Sequence, residues 1–228
     1  MRPLPALVTV LVPVVLVSAA WLANRPSAAE TRILAAQPLT HAGRLALIFT
    51  GDRGATSTIR ALARHLAQGG VPGIVVTPEE ARDSPVTAAA AVDGMIRARL
   101  KQGGQQHLLV IGADRGAGMA PFVANRIARD LRDRVDAVVM VELPSRVSFR
   151  HSWRDKLGGA PRTTDLPVLP ELERLRGMKL LCLYQRRTRD AFCPSLDTSL
   201  ARREVQPAGA GGDRDGAALA RRVLEFAR

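Results

Sequence analysis

Runs of branched apolar residues alternate along this chain with segments in which apolar residues recur at helical spacing. Such runs are typical of strands that are buried on both faces of a parallel sheet. The predicted strands cover residues 45–49, 71–76, 108–111, 135–141 and 178–184, with a short strand at Val205. Between residues 142 and 169 the pattern weakens and prolines and glycines accumulate. The alternation predicts an α/β fold, and the weak stretch predicts an excursion over the carboxyl edge of the sheet.

Helices are predicted wherever the apolar residues share one face. The first follows Thr56 or Ser57, either of which suits the cap position, and it ends at Gln68 before two glycines. Further helices are predicted over residues 85–100, from the turn after residue 111 to about Leu131, and over 217–227. Each crossover is long enough to connect two parallel strands.

The sharpest local pattern lies where the strand at residues 108–111 meets the next helix. Gly112, Asp114 and Gly116 have the spacing of a nucleophile elbow, Gly-x-Ser-x-Gly, which exposes its central side chain at the carboxyl edge of the sheet. Asp114 stands where that motif has serine. A carboxylate can attack carbon, but the resulting ester needs a histidine to activate water, and no histidine follows His151. The elbow therefore predicts a hydrolase fold and leaves open whether Asp114 is a nucleophile or a remnant.

An apolar segment precedes the predicted domain. Arg2 is followed by an apolar run over residues 4–23, and residues 27–29 are small, as a signal peptidase requires. We expect residues 1–29 to direct export, either as a signal peptide or as an N-terminal membrane anchor through residues 4–23. Residues 30–43 then form a linker or an edge strand, and residues 44–228 form the domain. This order predicts a periplasmic protein, or one anchored to the inner membrane and facing the periplasm.

The cysteines and histidines bear on compartment and metal binding. Export would place Cys182 and Cys193 in an oxidising compartment, where we expect them to form a disulfide; two buried thiols would be the alternative in a cytosolic protein. The four histidines are scattered, and with two cysteines they match no metal-ligand spacing: His41, His65, His107 and His151. No metal and no cofactor is expected.

The net charge of +12 arises from 33 basic and 21 acidic residues. It indicates either a solvated basic surface or a patch that binds an anionic partner such as lipid head groups. Nucleic-acid binding is not expected, because one Tyr and two Trp offer few rings on which bases could stack.

Several motifs together resemble the bacterial virulence protein family of the VirJ and AcvB type. Residues 49–54, Phe-Thr-Gly-Asp-Arg-Gly, resemble its Ser-Gly-Asp-Gly-Gly-Trp turn, and residues 110–122 with Asn125-Arg-Ile127 resemble its elbow and its Asn-Arg-Leu. Residues 169–172, 182–184 and 190–194 resemble its Leu-Pro-Glu, Cys-Ile-Tyr-Gly and Asp-Ser-x-Cys-Pro segments. The resemblance covers about residue 44 to the end. It implies an α/β-hydrolase-like fold, with a mostly parallel sheet and helices on both faces.

The resemblance also implies where a catalytic site would lie. The family has a serine at the elbow, an aspartate after the Cys-x-Tyr strand, and a Gly-Gly-His-His-Phe-Asp segment that supplies the base. Here Asp114 stands at the serine position and Asp190 matches the aspartate, but Ala210 and Gly211 replace both histidines. The backbone amides of Arg115 and of the turn at Gly51-Asp52 are candidates for an oxyanion-binding or anion-binding nest.

The functional expectation follows from these departures. AcvB-type proteins are associated with hydrolysis of aminoacylated phosphatidylglycerol, and VirJ with type IV secretion in the periplasm. We expect an exported protein with an impaired catalytic centre that binds an anionic phospholipid or a secretion or virulence partner. The alternative is a hydrolase that acts on an envelope lipid ester such as aminoacyl-phosphatidylglycerol.

Overall fold

A computed structural model describes residues 43–150, 165–186, 188, 191–206 and 211–228. Several predictions fall outside these residues. They concern the leader at residues 1–29, most of the segment 30–43, His41, His151, Asp190 and Ala210.

Six strands form one parallel sheet in the order β2-β1-β3-β4-β7-β8, and two short strands pair antiparallel beside it. The strands are β1 (Arg44–Phe49), β2 (Gly73–Val76), β3 (His107–Ala113), β4 (Val135–Val141), β5 (Arg146–Val147), β6 (Leu166–Pro167), β7 (Lys179–Tyr184) and β8 (Arg202–Val205). The parallel α/β fold predicted from the alternating pattern is confirmed.

Helices lie between successive strands along the chain, as predicted, and one more helix follows the last strand. They are α1 (Ser57–Gln68), α2 (Pro85–Leu100), α3 (Arg115–Arg126), α4 (Arg129–Arg132), α5 (Leu169–Arg174) and α6 (Gly212–Phe226), with a 3₁₀ turn at Cys193–Ser195. Thr56 caps α1, because its side chain accepts a hydrogen bond from the N–H of Ile59 at 3.3 Å. Among the described residues, no helix is both long and apolar enough to span a bilayer.

The sheet carries a hydrophobic core on each face. On one face Leu47, Val110 and Met140 pack with residues of α2, α3 and α5. On the other face Ile111 and Val139 pack with α1 and α6. The central strands are therefore buried on both sides, which explains why their sequences are continuously apolar.

Several predicted boundaries differ from the structure, including the amino end of β2, which begins at Gly73 rather than at residue 71. The helix expected to reach Leu131 ends at Arg126, because Ile127 is extended and the carboxylate of Asp93 on α2 accepts the N–H of Ala128 at 3.1 Å. The last helix begins at Gly212 rather than residue 217, and the final strand spans four residues. The excursion after β4 also contains the β5–β6 pair and leads into α5, elements too short to produce a periodic pattern.

A group of side chains, here called the Glu171 clasp, joins α3 to α5. The Glu171 carboxylate accepts hydrogen bonds from Asn125 at 2.7 Å, from both terminal nitrogens of Arg126 at 2.8 Å, and from Arg174 at 2.6 Å. Glu171 is only 3% exposed. Burial favours its neutral form, but the Arg126 and Asn125 hydrogen bonds outweigh burial and lower its pKa. The Asn-Arg and Leu-Pro-Glu segments noted in the sequence therefore meet in one structural contact.

The expected disulfide is present. Cys182 on β7 bonds to Cys193 in the 3₁₀ turn, with Cα atoms 5.6 Å apart, and both residues are fully buried. The bond ties the end of the sheet to the connection that follows β7.

Candidate functional site

The turn between β3 and α3 has the backbone geometry of a nucleophile elbow. Asp114 has φ 53° and ψ −125°, a conformation that non-glycine residues adopt rarely. A Cβ on Gly112 would lie 2.4 Å from the Gly116 carbonyl oxygen, and a Cβ on Gly116 would lie 2.3 Å from that of Phe49. Both glycines are required because the strand, the helix and the end of β1 pass too close for any side chain.

Asp114 stands at the centre of this turn with a half-exposed side chain. Its Oδ2 lies 3.6 Å from Nη2 of Arg53, whose side chain is 81% exposed. Gly51 lies directly against it, since a Cβ on Gly51 would be 2.9 Å from the Asp114 Cβ. The Asp114 N–H donates to the Val141 carbonyl at 2.9 Å, which fixes the turn over the end of β4.

Arg115 holds the surroundings of the elbow together. Its Nη1 donates to Oδ1 of Asp52 at 2.6 Å, and its Nε donates to the Ser148 carbonyl at 2.9 Å. Its side chain is only 11% exposed. The guanidinium thus links the β1 turn to the start of the excursion, so a role in anion binding would fall to the backbone amide of Arg115, as predicted from the sequence. Gly51, Asp52, Asp114 and Arg115 are brought together at one edge of the sheet.

Glu142 is a site residue that the sequence reasoning missed. It follows β4 directly, as Asp114 follows β3, and its φ is 56°. Its Oε1 accepts the N–H of Gln185 at 2.7 Å. Burial raises the pKa of Glu142 and the nearby Asp114 charge raises it further, while the Thr188 side chain and the Gln185 N–H act in the opposite direction. The signal available in the sequence was the position of Glu142, one residue beyond a buried strand and therefore at the same carboxyl edge of the sheet as Asp114.

The described histidines bind other aspartates. His65 on α1 lies 3.0 Å from Oδ1 of Asp213, which also pairs with Arg64, and this hydrogen bond lowers the pKa of Asp213. His107, at the amino end of β3, lies 2.9 Å from Oδ1 of Asp136. Neither histidine forms a hydrogen bond or ion pair with Asp114. The part of the chain that the structure describes holds no group of three potential metal ligands.

A concavity lies between β8 and α6. It has a volume of about 410 Å³, an apolar floor that includes Leu183 and Leu219, and a charged rim that includes Glu204 and Arg222. Glu204 is already neutralised by Arg202 at 2.6 Å and Arg222 at 2.5 Å.

Comparison with protein families settles the relationship of the chain. The model of the bacterial virulence protein VirJ matches residues 43–228. The chain belongs to the VirJ family. The resemblance noted in its motifs is therefore confirmed at the level of the family. A search of curated proteins finds no significant match to this VirJ-family chain.

Solved structures confirm the α/β-hydrolase fold. Est1E from Butyrivibrio proteoclasticus aligns with a TM-score of 0.59 at 11% identity, over 85% of this chain and 90% of that one. A structure from work on LipS and LipT, two metagenome-derived lipolytic enzymes, gives 0.56 at 14% identity, over 88% and 98%. MenH from S. aureus gives 0.57 at 9% identity, over 86% and 96%. At these identities the likeness concerns the fold alone.

Proposed function

We propose that this VirJ-family protein is a binding protein of the bacterial envelope that does not hydrolyse its ligand. The observation that supports this function is that, among the described residues, Asp114 is paired with Arg53 rather than with a histidine able to accept a proton. Removing a nucleophile or base from a catalytic triad costs roughly 10⁶-fold in rate. What remains at the elbow is a rigid turn with exposed polar groups, which suits binding.

An anionic phospholipid is the ligand class that the charges favour. Arg53 is exposed beside the elbow, and the whole chain carries a net charge of +12. An N-terminal anchor at residues 4–23 would keep the domain at a membrane surface. A protein of a secretion system is the other ligand class that family membership suggests.

Vesicle binding tests this function. We expect the protein to sediment with phosphatidylglycerol vesicles and not with phosphatidylcholine vesicles, and we expect Arg53→Ala to weaken the binding several-fold. Arg129→Ala is the matched control, because Arg129 has a similarly exposed side chain, at 87%, but lies on α4 just before the amino end of β4. Equal binding to both lipids, or equal losses in both variants, would contradict lipid binding at the elbow. Capture of a secretion protein without lipid binding would favour the protein ligand.

Hydrolysis of an envelope lipid ester is the second candidate, and the retained elbow backbone favours it. The assay measures turnover of short acyl esters and of lysyl-phosphatidylglycerol, with intact-mass analysis for an adduct on Asp114. We expect no turnover above background and no adduct. Robust turnover that disappears in Asp114→Ala would make hydrolysis, rather than binding alone, the favoured function.

Periplasmic location belongs to the same proposal. Residues 1–29 fused to alkaline phosphatase should give activity outside the cytoplasm. A fusion that stays inactive in the cytosol would contradict a location in the envelope.

A further inference from the structure

Asp114 and Glu142 are neighbours across two adjacent strands. Ala113 and Val141, the residues that precede them, are register partners in the parallel pairing of β3 with β4. The hydrogen bond from the Asp114 N–H to the Val141 carbonyl extends that pairing past the ends of both strands. The carboxyl edge of the sheet thus carries two acidic residues side by side at the centre of the candidate site.

The two oxygens of Glu142 have different surroundings. Oε1 accepts the Gln185 N–H, whereas Oε2 is inaccessible to solvent and makes no hydrogen bond of normal geometry with the described residues. A buried carboxylate oxygen without a donor is costly when it is charged. Protonation lowers that cost, because burial penalises the neutral acid less than the charged carboxylate.

Among the described residues, two segments contribute groups that interact with Glu142. Asp114, directly before α3, contributes a negative charge, whereas the Gln185 N–H, which donates to Oε1, and the Thr188 side chain favour the ionised form of Glu142. Arg53 reaches Asp114 but forms no ion pair with Glu142 in the described structure. Within the described residues, two carboxyl groups therefore share the surroundings of one exposed guanidinium, that of Arg53.

We propose that Asp114 and Glu142 act as one carboxyl pair, and that the elbow binds its anionic ligand with Glu142 protonated, so that binding takes up a proton. This inference rests on the proposed lipid-binding function. With both carboxyls ionised, the ligand would meet two like charges, and with Glu142 neutral it meets Asp114 already paired with Arg53. The raised pKa of Glu142, caused by burial and by Asp114, agrees with this arrangement.

Carboxyl-carbon NMR of the free protein tests the pair without any ligand. Glu142 should titrate above the ordinary glutamate range, and Asp114→Asn should lower its midpoint because the like charge is removed. Asp130→Asn is the control, since Asp130 on α4 pairs with Arg97 and should leave the Glu142 midpoint unchanged. A Glu142 midpoint at or below the ordinary value, or one that Asp114→Asn does not move, would overturn the pair.

Vesicle binding at several pH values tests the linkage. Wild-type affinity for phosphatidylglycerol vesicles should fall by up to about tenfold per pH unit above the Glu142 midpoint, the slope for one linked proton. Glu142→Gln mimics the protonated acid and should bind with little dependence on pH over that range. The same slope in both proteins would overturn the linkage. Absence of vesicle binding at every pH would contradict the proposed function, while the NMR titration would still decide the pair.

Discussion

The Glu171 clasp and the elbow both place acidic side chains near arginines, yet they hold the carboxyl groups in opposite ways. Every oxygen of Glu171 is hydrogen-bonded, and its pKa is lowered. At the elbow Asp114 is half exposed and, among the described residues, forms one loose ion pair, and the pKa of Glu142 is raised. The clasp stabilises the fold, whereas the elbow leaves polar groups available for a ligand.

The largest expected effect comes from breaking the clasp. Glu171→Ala would leave Arg126 and Asn125 partly buried without their acceptor, so we expect a loss of about 3–4 kcal/mol in the free energy of unfolding. Urea denaturation measures it. Glu173→Ala, on the exposed side of the same helix, should change stability by less than about 0.5 kcal/mol. Similar small losses in both variants would show that the clasp contributes little.

Adding a Cβ in the elbow should lower the free energy of unfolding nearly as much as Glu171→Ala does. Gly116→Ala would place a methyl group 2.3 Å from the Phe49 carbonyl oxygen. We expect a loss of about 2–3 kcal/mol, as for other overpacked positions. Gly94→Ala is the control, since its Cβ would meet nothing within 4 Å and helix propensity predicts a gain of about 0.5–1 kcal/mol. Thermal unfolding of both variants should show opposite signs, and equal behaviour would contradict the tight turn.

Reduction of the disulfide should destabilise the protein by a similar amount. The Cys182–Cys193 bond closes a loop with a sequence separation of 11. For a loop of this length the chain-entropy model predicts a loss of about 2–3 kcal/mol on reduction. Denaturation with and without reductant measures it, and the variant with both cysteines changed to alanine serves as a control that reductant should not affect. An unchanged midpoint after complete reduction would be inconsistent with this estimate.

The smallest expected effect is a pH dependence of stability that sets Glu142 apart from Glu171. The folded state binds the Glu142 proton more tightly than the unfolded chain, so wild-type stability falls as pH rises from 4.5 through the folded pKa. Glu142→Gln lacks this loss and should gain stability relative to wild type at neutral pH, with the difference shrinking on acidification. Stability curves from pH 4 to 8 would test it. A difference that grows on acidification would have the wrong sign.

The sequence predicted what periodicity and local turn chemistry encode. Strands β1 to β4 and the elbow were found because continuous apolar runs and two glycines suffice to define them. The break after Arg126 was not predictable, because the acceptor of the Ala128 N–H is Asp93, on another helix. Glu142 was missed for a similar reason, since its environment depends on residues from β3 and from the connection after β7.

The packing of Gly112 and Gly116 separates the shape of the elbow from the group that it displays. Backbone atoms of the strand, the helix and Phe49 enforce the turn, and none of them belongs to the side chain at position 114. The carboxylate at position 114 can therefore be exchanged for a hydroxyl or a thiol by one substitution. Among the described glycines, Gly51 lies against this side chain and limits how large it can be. In this molecule the backbone holds the shape of the elbow independently of the side chain at position 114, so different chemistry at this point would require new side chains rather than a new backbone.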